Sequence, residues 1–175
     1  VPVMALRAHR QAEVRHFLRA SGATAYLIPD VVGGFDFRVM AGQMQAEFPG
    51  LKHVLVAGEP APGQRALAGL PDAPAPAAGP RPSDVSTMLL SGGTTSLSKL
   101  IPRTHDDYVA NARLCAAAGG FDERTVLMAI LPLGHNYNLA SPGMLGAFCC
   151  GGTVVLAGSG DPAEVFGLVE TERVS

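Results

Sequence analysis

With 175 residues, the chain can bury one sizeable hydrophobic core, and we expect a single structural unit. Its 13 basic and 15 acidic residues give a formal charge of −2 at pH 7, which excludes a strongly basic surface of the kind that binds nucleic acid or anionic membranes. The apolar N-terminus is too short for a signal peptide and no apolar run reaches the length of a membrane span, so the sequence predicts a cytoplasmic protein.

The first 57 residues alternate patterns that are typical of strands and helices. Apolar runs predict strands, whereas apolar residues three or four positions apart predict helices with one buried face. Gly22 is expected to end the first helix, and Asp36 is expected to be the N-cap of the second. In chain order we predict a buried strand at residues 1–6, a helix at 10–21 that buries Val14, Phe17 and Leu18, a strand at 25–28, a helix that buries Met40, Met44 and Phe48, and a strand at 53–57. Repeated strand–helix units indicate a parallel sheet.

Residues 58–84 interrupt this alternation with a composition rich in proline, alanine and glycine. Because proline lacks a backbone donor and fixes φ, we predict a long surface connection without helices or strand pairing. A solvated linker is favoured over a functional tether. Residues 85–90 then predict a strand, and open sheets commonly bind their ligands at the carboxyl ends of such strands.

The loop after this strand combines glycines, hydroxylated residues and one lysine in the sequence SGGTTSLSK at residues 91–99. Glycines leave backbone N–H groups uncovered, hydroxyl groups donate hydrogen bonds and lysine adds a positive charge, which together suit a phosphate group. The loop lacks the glycine before lysine and the hydroxyl residue after it that a P-loop NTPase requires, and it lacks the glycine spacing of a dinucleotide-binding fold. On composition alone, a phosphate site and an ordinary surface loop are both open.

The next segment predicts an extended stretch at residues 100–102 and a helix that begins with the capping-box pair Thr104 and Asp107. Arg103 either faces a triphosphate or has an ordinary surface role. His105 lies in the first helical turn, where a cap neighbour or a solvated side chain is favoured over a catalytic role.

The last part of the chain continues the alternation with a strand at residues 125–131, a strand at 154–157 and a helix at 161–170. Between them, Ser141 and Pro142 have the residue types of an N-cap and a first helical residue. The predicted fold class is therefore α/β, with a largely parallel sheet flanked by helices.

Three segments carry a resemblance to a known family. The loop at 91–99, the following LIPRTHDDY at 100–108 and the sequence GHNYNLASPG at 134–143 resemble motifs of adenylate-forming enzymes. Within that group they are most similar to the stand-alone aryl acid ligases, the 2,3-dihydroxybenzoate-AMP ligases. The resemblance implies that residues 1–175 are a single partial domain of the large N-terminal AMP-binding domain, with residues 58–84 as a connection inside it.

The resemblance implies one ligand for each of two segments and no catalytic side chain within this chain. The residues expected at the phosphates of ATP are Ser91, Gly92, Gly93, Thr94, Thr95 and Lys99, with Thr95 also at Mg²⁺. The residues expected at the aryl carboxylic acid are His135, Asn136 and Ser141. In this family a serine at the place of Ser141 goes with a dihydroxylated acid, whereas a cysteine goes with salicylate-type acids. We expect Lys99 and Asn136 to face one cleft from neighbouring strand ends of a single sheet.

The implied reaction activates 2,3-dihydroxybenzoate with ATP to aryl-adenylate and pyrophosphate, and then loads the aryl group onto an aryl carrier protein in siderophore biosynthesis. Ser96 stands where the family's loop carries glycine, and the family's later motifs have no counterpart, so we expect a fragment that does not turn over alone. Open sheet edges and apolar faces of a fragment also predict a homo-oligomer. Two alternatives stay open: a truncated, non-catalytic ligase that acts as a binding or interaction module, and a relative that activates a different carboxylic acid, such as an acyl-CoA ligase.

Overall fold

The computed structural model describes residues 1–74, 76, 78–92 and 97–175. These residues form helices and strands in the order α1 (Gln11–Ser21), β1 (Ala25–Pro29), β2 (Val31–Val32), β3 (Phe35–Asp36), α2 (Phe37–Glu47), β4 (His53–Ala57), β5 (Arg65–Ala66), β6 (Val85–Leu90), β7 (Leu100–Thr104), α3 (His105–Ala118), β8 (Val126–Ala129), α4 (Asn136–Ala140), α5 (Gly143–Cys149), β9 (Thr153–Leu156) and α6 (Pro162–Thr171). None of the helices in the described ranges is long and apolar enough to cross a bilayer.

The described part of the chain folds as two units, each with a core of its own. Unit one contains residues 1–7, 80–92 and 101–175, and unit two contains residues 8–79 and 97–100. The assignment of residues 1–175 to a single partial domain stays a prediction.

Unit two is built on a parallel sheet in the order β1-β4-β5, in which Ala25 lies opposite His53. The helices α1 and α2 pack together, and both contribute buried side chains to the core beside this sheet. Gly22 ends α1 with a φ of 62°, as predicted. The buried members of this core are Val14, Leu18, Ile28, Phe37, Met40, Ala41, Met44, Leu51, Val54 and Val56.

The second helix follows the sequence pattern closely. Asp36 is its N-cap, and the Asp36 carboxylate accepts a hydrogen bond from the Arg38 backbone N–H at 2.9 Å. Met40 and Met44 are buried as predicted, whereas Phe48 is half-buried at the helix end. The spacing of four therefore identified the buried face of α2.

The prediction that residues 58–84 form no strand pairing is wrong at β5. Leu55 of β4 lies opposite Arg65 of β5 in a parallel ladder, and the Leu67 N–H donates to the Val56 carbonyl at 2.8 Å. Residues 63–70 contain no proline, so their backbone donors are available for pairing. The average composition of the segment concealed this short interval.

Unit one contains two separate two-stranded sheets, β6-β7 and the parallel pair β8-β9. We expected β6 and β8, the strands that lead to the phosphate and aryl-acid segments, to be neighbours in one sheet. This expectation is wrong in the described part of the chain, because each of them pairs with the next strand along the sequence. A buried strand at 1–6 is also wrong, since Val3 forms only an isolated bridge with Met88 and Val1 is exposed.

The core of unit one lies where α3, α4 and α5 pack beside β6. Its buried members are Leu89, Tyr108, Leu139 and Ala140, with Met4, Met144 and Leu145 packed against them. The last helix begins at the N-cap Asp161, whose carboxylate accepts from the Ala163 N–H at 2.8 Å, as the pattern at 161–170 predicts. The arrangement places α4 and its polar side chains directly against α3.

Candidate functional site

The predicted phosphate segment is divided between the two units. Strand β6 ends at Leu90 and leads into Ser91 and Gly92 in unit one, whereas Lys99 lies in unit two with its side chain exposed. The predicted residues Gly93, Thr94 and Thr95, together with Ser96, lie outside the described residues. Their roles, and the shared cleft for Lys99 and Asn136, stay predictions.

Gly92 does not have the backbone conformation that only glycine adopts. Its φ lies outside the left-handed region, and a Cβ built on it meets no atom within 4 Å. Conformational freedom is therefore not the reason for glycine at this position.

His16, which no sequence pattern indicated, forms a hydrogen bond with Ser98, the residue before Lys99. The Nε2 atom of His16, on α1, lies 2.8 Å from the Ser98 carbonyl oxygen. Because a carbonyl only accepts hydrogen bonds, Nε2 carries the hydrogen in this contact. The two residues are 82 positions apart, so no local pattern signals the contact.

Charged residues at the start of α3 pair with one another. Thr104 is the N-cap as predicted, and its hydroxyl accepts from the Asp107 N–H. The Arg103 guanidinium pairs with the Asp107 carboxylate, which lowers the pKa of Asp107, and it also lies 4.7 Å from the centroid of the Tyr108 ring. These contacts fit the ordinary surface role that was left open for Arg103, and its contact with a triphosphate stays a prediction.

The predicted aryl-acid segment forms the short helix α4, and a chain of hydrogen bonds joins it to α3. The Tyr108 hydroxyl donates to Asn136 Oδ1 at 3.0 Å, and Asn136 Nδ2 donates to Ser141 Oγ at 2.8 Å. Asn111 Nδ2 donates to the same Ser141 oxygen at 3.1 Å and to the Ala140 carbonyl at 2.6 Å. The structure thus brings the predicted residues Asn136 and Ser141 together and adds Tyr108 and Asn111 to them.

His135 has a different role from its two predicted partners. Its Nδ1 accepts from the Tyr137 backbone N–H at 3.3 Å, so its side chain is the N-cap of α4. The residue is exposed, and the hydrogen bonds of Asn136 and Ser141 do not include it. Its predicted contact with an aryl acid stays a prediction.

The prediction that Ser141 is the N-cap of a helix is wrong by one residue. Ser141 ends α4, and Pro142 occupies the N-cap position of α5 without a side-chain hydrogen bond. Gly143 then has a φ of 49°, and a Cβ built on it would lie 2.3 Å from the Asn138 carbonyl oxygen. The junction between α4 and α5 is therefore too tight for a side chain at residue 143.

A cavity of about 360 Å³ lies in unit one beside α3. Its lining is largely apolar, with Ser86, Thr87 and His105 as polar members. The other lining residues are Pro2, Met4, Tyr108, Val109, Ala112, Leu139, Leu145 and Cys149. Tyr108 lines this cavity and its hydroxyl donates to Asn136, whereas Asn136 and Ser141 are not lining residues. The cavity and the hydrogen-bonded side chains of Asn136 and Ser141 are therefore distinct features that share Tyr108.

No group of three or more histidine, cysteine, aspartate or glutamate side chains suited to a metal ion occurs among the described residues. The predicted Mg²⁺ residue, Thr95, lies outside them. Its contact with Mg²⁺ stays a prediction.

Comparison with known proteins identifies the family of the chain. A family model described as "AMP-binding enzyme" matches residues 1–175. The 2,3-dihydroxybenzoate-AMP ligase of Bacillus subtilis is 45% identical over 175 residues, which cover 100% of this chain and 32% of the relative. The "Salicyl-AMP ligase / salicyl-S-ArCP synthetase" of Mycobacterium tuberculosis is 43% identical over 179 residues and covers 100% of this chain and 31% of its own length.

A solved structure agrees with these relatives. The apo structure of MbtA from Mycobacterium smegmatis superposes with a TM-score of 0.91 at 37% identity, covering 100% of this chain and 33% of that protein. The α/β fold and the resemblance found in the sequence are confirmed, and the chain spans about a third of the length of the curated relatives it matches. Because the match runs from the first residue to the last, the chain belongs to the AMP-binding enzyme family.

Proposed function

We propose that this chain is part of an ATP-dependent aryl acid-AMP ligase of siderophore biosynthesis. The ligase converts 2,3-dihydroxybenzoate and ATP to aryl-adenylate and pyrophosphate, and it then loads the aryl group onto an aryl carrier protein. The main support is the hydrogen bond between the side chains of Asn136 and Ser141. The chain that contains this pair is 45% identical to a 2,3-dihydroxybenzoate-AMP ligase.

Asn136 and Ser141 have the chemistry to orient a hydroxylated ring. An amide both donates and accepts hydrogen bonds, and so does a hydroxyl group, so the pair suits the phenolic oxygens of an aryl acid. Leu139 and Ala140, which follow on the same short helix, are buried in the apolar core of unit one. Sites for small aromatic ligands combine a few such polar groups with largely apolar surroundings.

The donor set of residues 91–99 fits the phosphates of ATP. The residue types supply hydrogen-bond donors of three kinds: the hydroxyl groups of Ser91, Thr94 and Thr95, the backbone N–H groups of Gly92 and Gly93, and the ammonium group of Lys99. Bound ATP supplies the phosphorus that the carboxylate attacks, and pyrophosphate leaves. Lys99 offsets the negative charge on the leaving phosphates, and Thr95 would hold Mg²⁺ beside them.

The test is 2,3-dihydroxybenzoate-dependent exchange of pyrophosphate into ATP by the full-length protein. Lys99→Ala is expected to lower kcat/KM by on the order of 2 to 4 kcal/mol of transition-state stabilisation. Lys52→Ala is the matched control, since Lys52 is the only other lysine in the chain and is also exposed. Equal rates for the two variants would contradict the role of Lys99.

The identity of the acid needs its own measurement, because one relative is named for 2,3-dihydroxybenzoate and the other for salicylate. We expect the protein with Ser141 to prefer 2,3-dihydroxybenzoate, and we expect Ser141→Cys to shift the preference toward salicylate. A higher kcat/KM for another carboxylic acid would instead favour the relative with a different substrate. Loading of a phosphopantetheinyl aryl carrier protein tests the second half-reaction.

Residues 1–175 expressed alone are proposed to be inactive and to self-associate. Large apolar side chains such as Leu114 and Phe166 are exposed, at 72% and 71%. Sedimentation at several concentrations is expected to reveal oligomers, and a monomer at all concentrations would contradict this. Turnover by residues 1–175 would show that the active fragment is smaller than proposed, whereas no exchange by the full-length protein would favour a non-catalytic binding module. We also propose a cytoplasmic location.

A further inference from the structure

Two side chains on α3 reach the polar side chains of α4. Tyr108 and Asn111 are three residues apart and therefore lie on the same side of the helix. Tyr108 contacts Asn136 at 3.0 Å, and Asn111 contacts Ser141 at 3.1 Å. The four residues form one cluster, which we call the amide cluster, within unit one.

The donors and acceptors in the amide cluster can be counted. A serine hydroxyl has two acceptor positions and one hydrogen. Ser141 Oγ accepts from Asn136 Nδ2 and from Asn111 Nδ2, so both acceptor positions are filled by amide donors. The Ser141 hydrogen is then the group that remains for another partner.

The orientation of the Asn136 amide decides this count. In the structure the Tyr108 hydroxyl donates to Asn136 Oδ1 at 3.0 Å, and Asn136 Nδ2 faces Ser141 Oγ at 2.8 Å. With the amide reversed, Oδ1 would face Ser141 and would accept the Ser141 hydrogen, leaving none for a ligand. The hydroxyl of Tyr108 thus acts on Ser141 through Asn136.

We propose that Tyr108 and Asn111 are positioning residues that make Ser141 a hydrogen-bond donor toward the bound aryl acid. The inference rests on the proposed function, in which Asn136 and Ser141 contact the ring substituents. Its consequence for specificity is that Ser141 selects a ring substituent with an acceptor oxygen.

Both positioning side chains are held in place by further contacts. The Tyr108 ring is 5% exposed and lies under the Arg103 guanidinium at 4.7 Å. Burial also raises the pKa of Tyr108, so its hydroxyl keeps its hydrogen at neutral pH and above. Asn111 is anchored by a second hydrogen bond, to the Ala140 carbonyl at 2.6 Å. These contacts restrain both side chains in the orientations that the amide cluster requires.

The experiment measures pyrophosphate exchange by the full-length protein with 2,3-dihydroxybenzoate and with benzoate, which has no ring hydroxyl. The readout is discrimination, the ratio of kcat/KM for the two acids. Asn111→Asp replaces an amide donor by a carboxylate, which draws the Ser141 hydrogen toward itself. We expect discrimination to fall about tenfold, because the amide cluster loses a donor and gains a competing acceptor.

Tyr108→Phe keeps the ring and removes only the hydroxyl that orients Asn136. We expect discrimination to fall about fivefold, with kcat for benzoate less affected than KM for 2,3-dihydroxybenzoate. Tyr26→Phe is the matched control, since it removes a partly buried hydroxyl from β1 in unit two. This conservative variant keeps the test decisive if Asn111→Asp does not fold.

A double variant separates positioning from a general effect on the fold. In a Ser141→Ala background, Asn111→Asp is expected to leave discrimination unchanged, because the residue through which it acts is gone. An effect of equal size with and without Ser141, or unchanged discrimination in Tyr108→Phe and Asn111→Asp, would overturn the inference while the proposed function stands. Absence of exchange with every aryl acid would overturn both.

Discussion

Replacement of Gly143 by alanine tests the tight junction that brings Ser141 next to Asn136. The residue has a φ of 49°, a conformation that costs a residue with a Cβ about 1–2 kcal/mol. The new Cβ would also lie 2.3 Å from the Asn138 carbonyl oxygen, so α4 has to move. Asn138 is 8% exposed and its Nδ2 donates to the Leu131 carbonyl at 2.5 Å, so a shift that breaks this hydrogen bond adds about 1–3 kcal/mol. We expect Gly143→Ala to lower the free energy of unfolding by about 2–5 kcal/mol.

Gly120→Ala is the matched control in the same unit. Gly120 has a φ of 69°, but a Cβ built on it meets no atom within 4 Å, so only the conformational cost of about 1–2 kcal/mol applies. Urea unfolding followed by circular dichroism gives both values, and the KM for the aryl acid reports the displacement of α4. Equal losses of stability in the two variants would show that the contact between the new Cβ and the Asn138 backbone has no cost, because this contact occurs at Gly143 and not at Gly120.

Three further predictions concern unit two and are measured in the full-length protein. Met44→Ala is expected to lower the free energy of unfolding in urea by about 2–5 kcal/mol, because Met44 is fully buried. Val39 is 61% exposed on the same helix, so Val39→Ala is expected to change this free energy by less than about 0.5 kcal/mol. Hydrogen bonds from Arg38 lower the pKa of Asp36 from 3.8 to about 2, so Asp36 contributes its full stability above pH 3.8 and loses it as the pH falls toward 2. Asp36→Ala is expected to flatten the pH dependence of stability between pH 4 and 2, and an unchanged profile would contradict this. His16→Leu removes the hydrogen bond to the carbonyl before Lys99 and is expected to raise the KM for ATP, whereas an unchanged KM would show that this contact does not position the phosphate segment.

The two helices of unit two follow from local patterns in the sequence. Helix α2 has a capping aspartate and methionines at a spacing of four, and these two signals act within a few residues of each other. The strand predicted at residues 1–6 fails for the complementary reason, because a strand depends on distant partners for its ladder. An apolar run predicts burial but does not identify what pairs with it.

The amide cluster was only half predictable. The family motif in the sequence predicted Asn136 and Ser141, whereas Tyr108 and Asn111 were not predicted. The hydrogen bonds from α3 to α4 span 28 and 30 residues, so no spacing rule indicates them. They depend on how two helices pack, which the sequence pattern of either helix alone does not determine.

A shift of one residue in a helix boundary changes the chemistry available to Ser141. As an N-cap, the Ser141 oxygen would accept a backbone N–H of its own helix and lose one acceptor position to that contact. Because Pro142 is the N-cap of α5 instead, both acceptor positions of Ser141 are taken by the side-chain amides of Asn136 and Asn111. A thiol is a weak acceptor and a weak donor, so a cysteine at this position would leave those two amides poorly bonded and would offer little to a ring oxygen. The preference that we propose for Ser141, an oxygen-bearing ring position, would thus depend on where α4 ends, and a thiol at residue 141 is expected to weaken it.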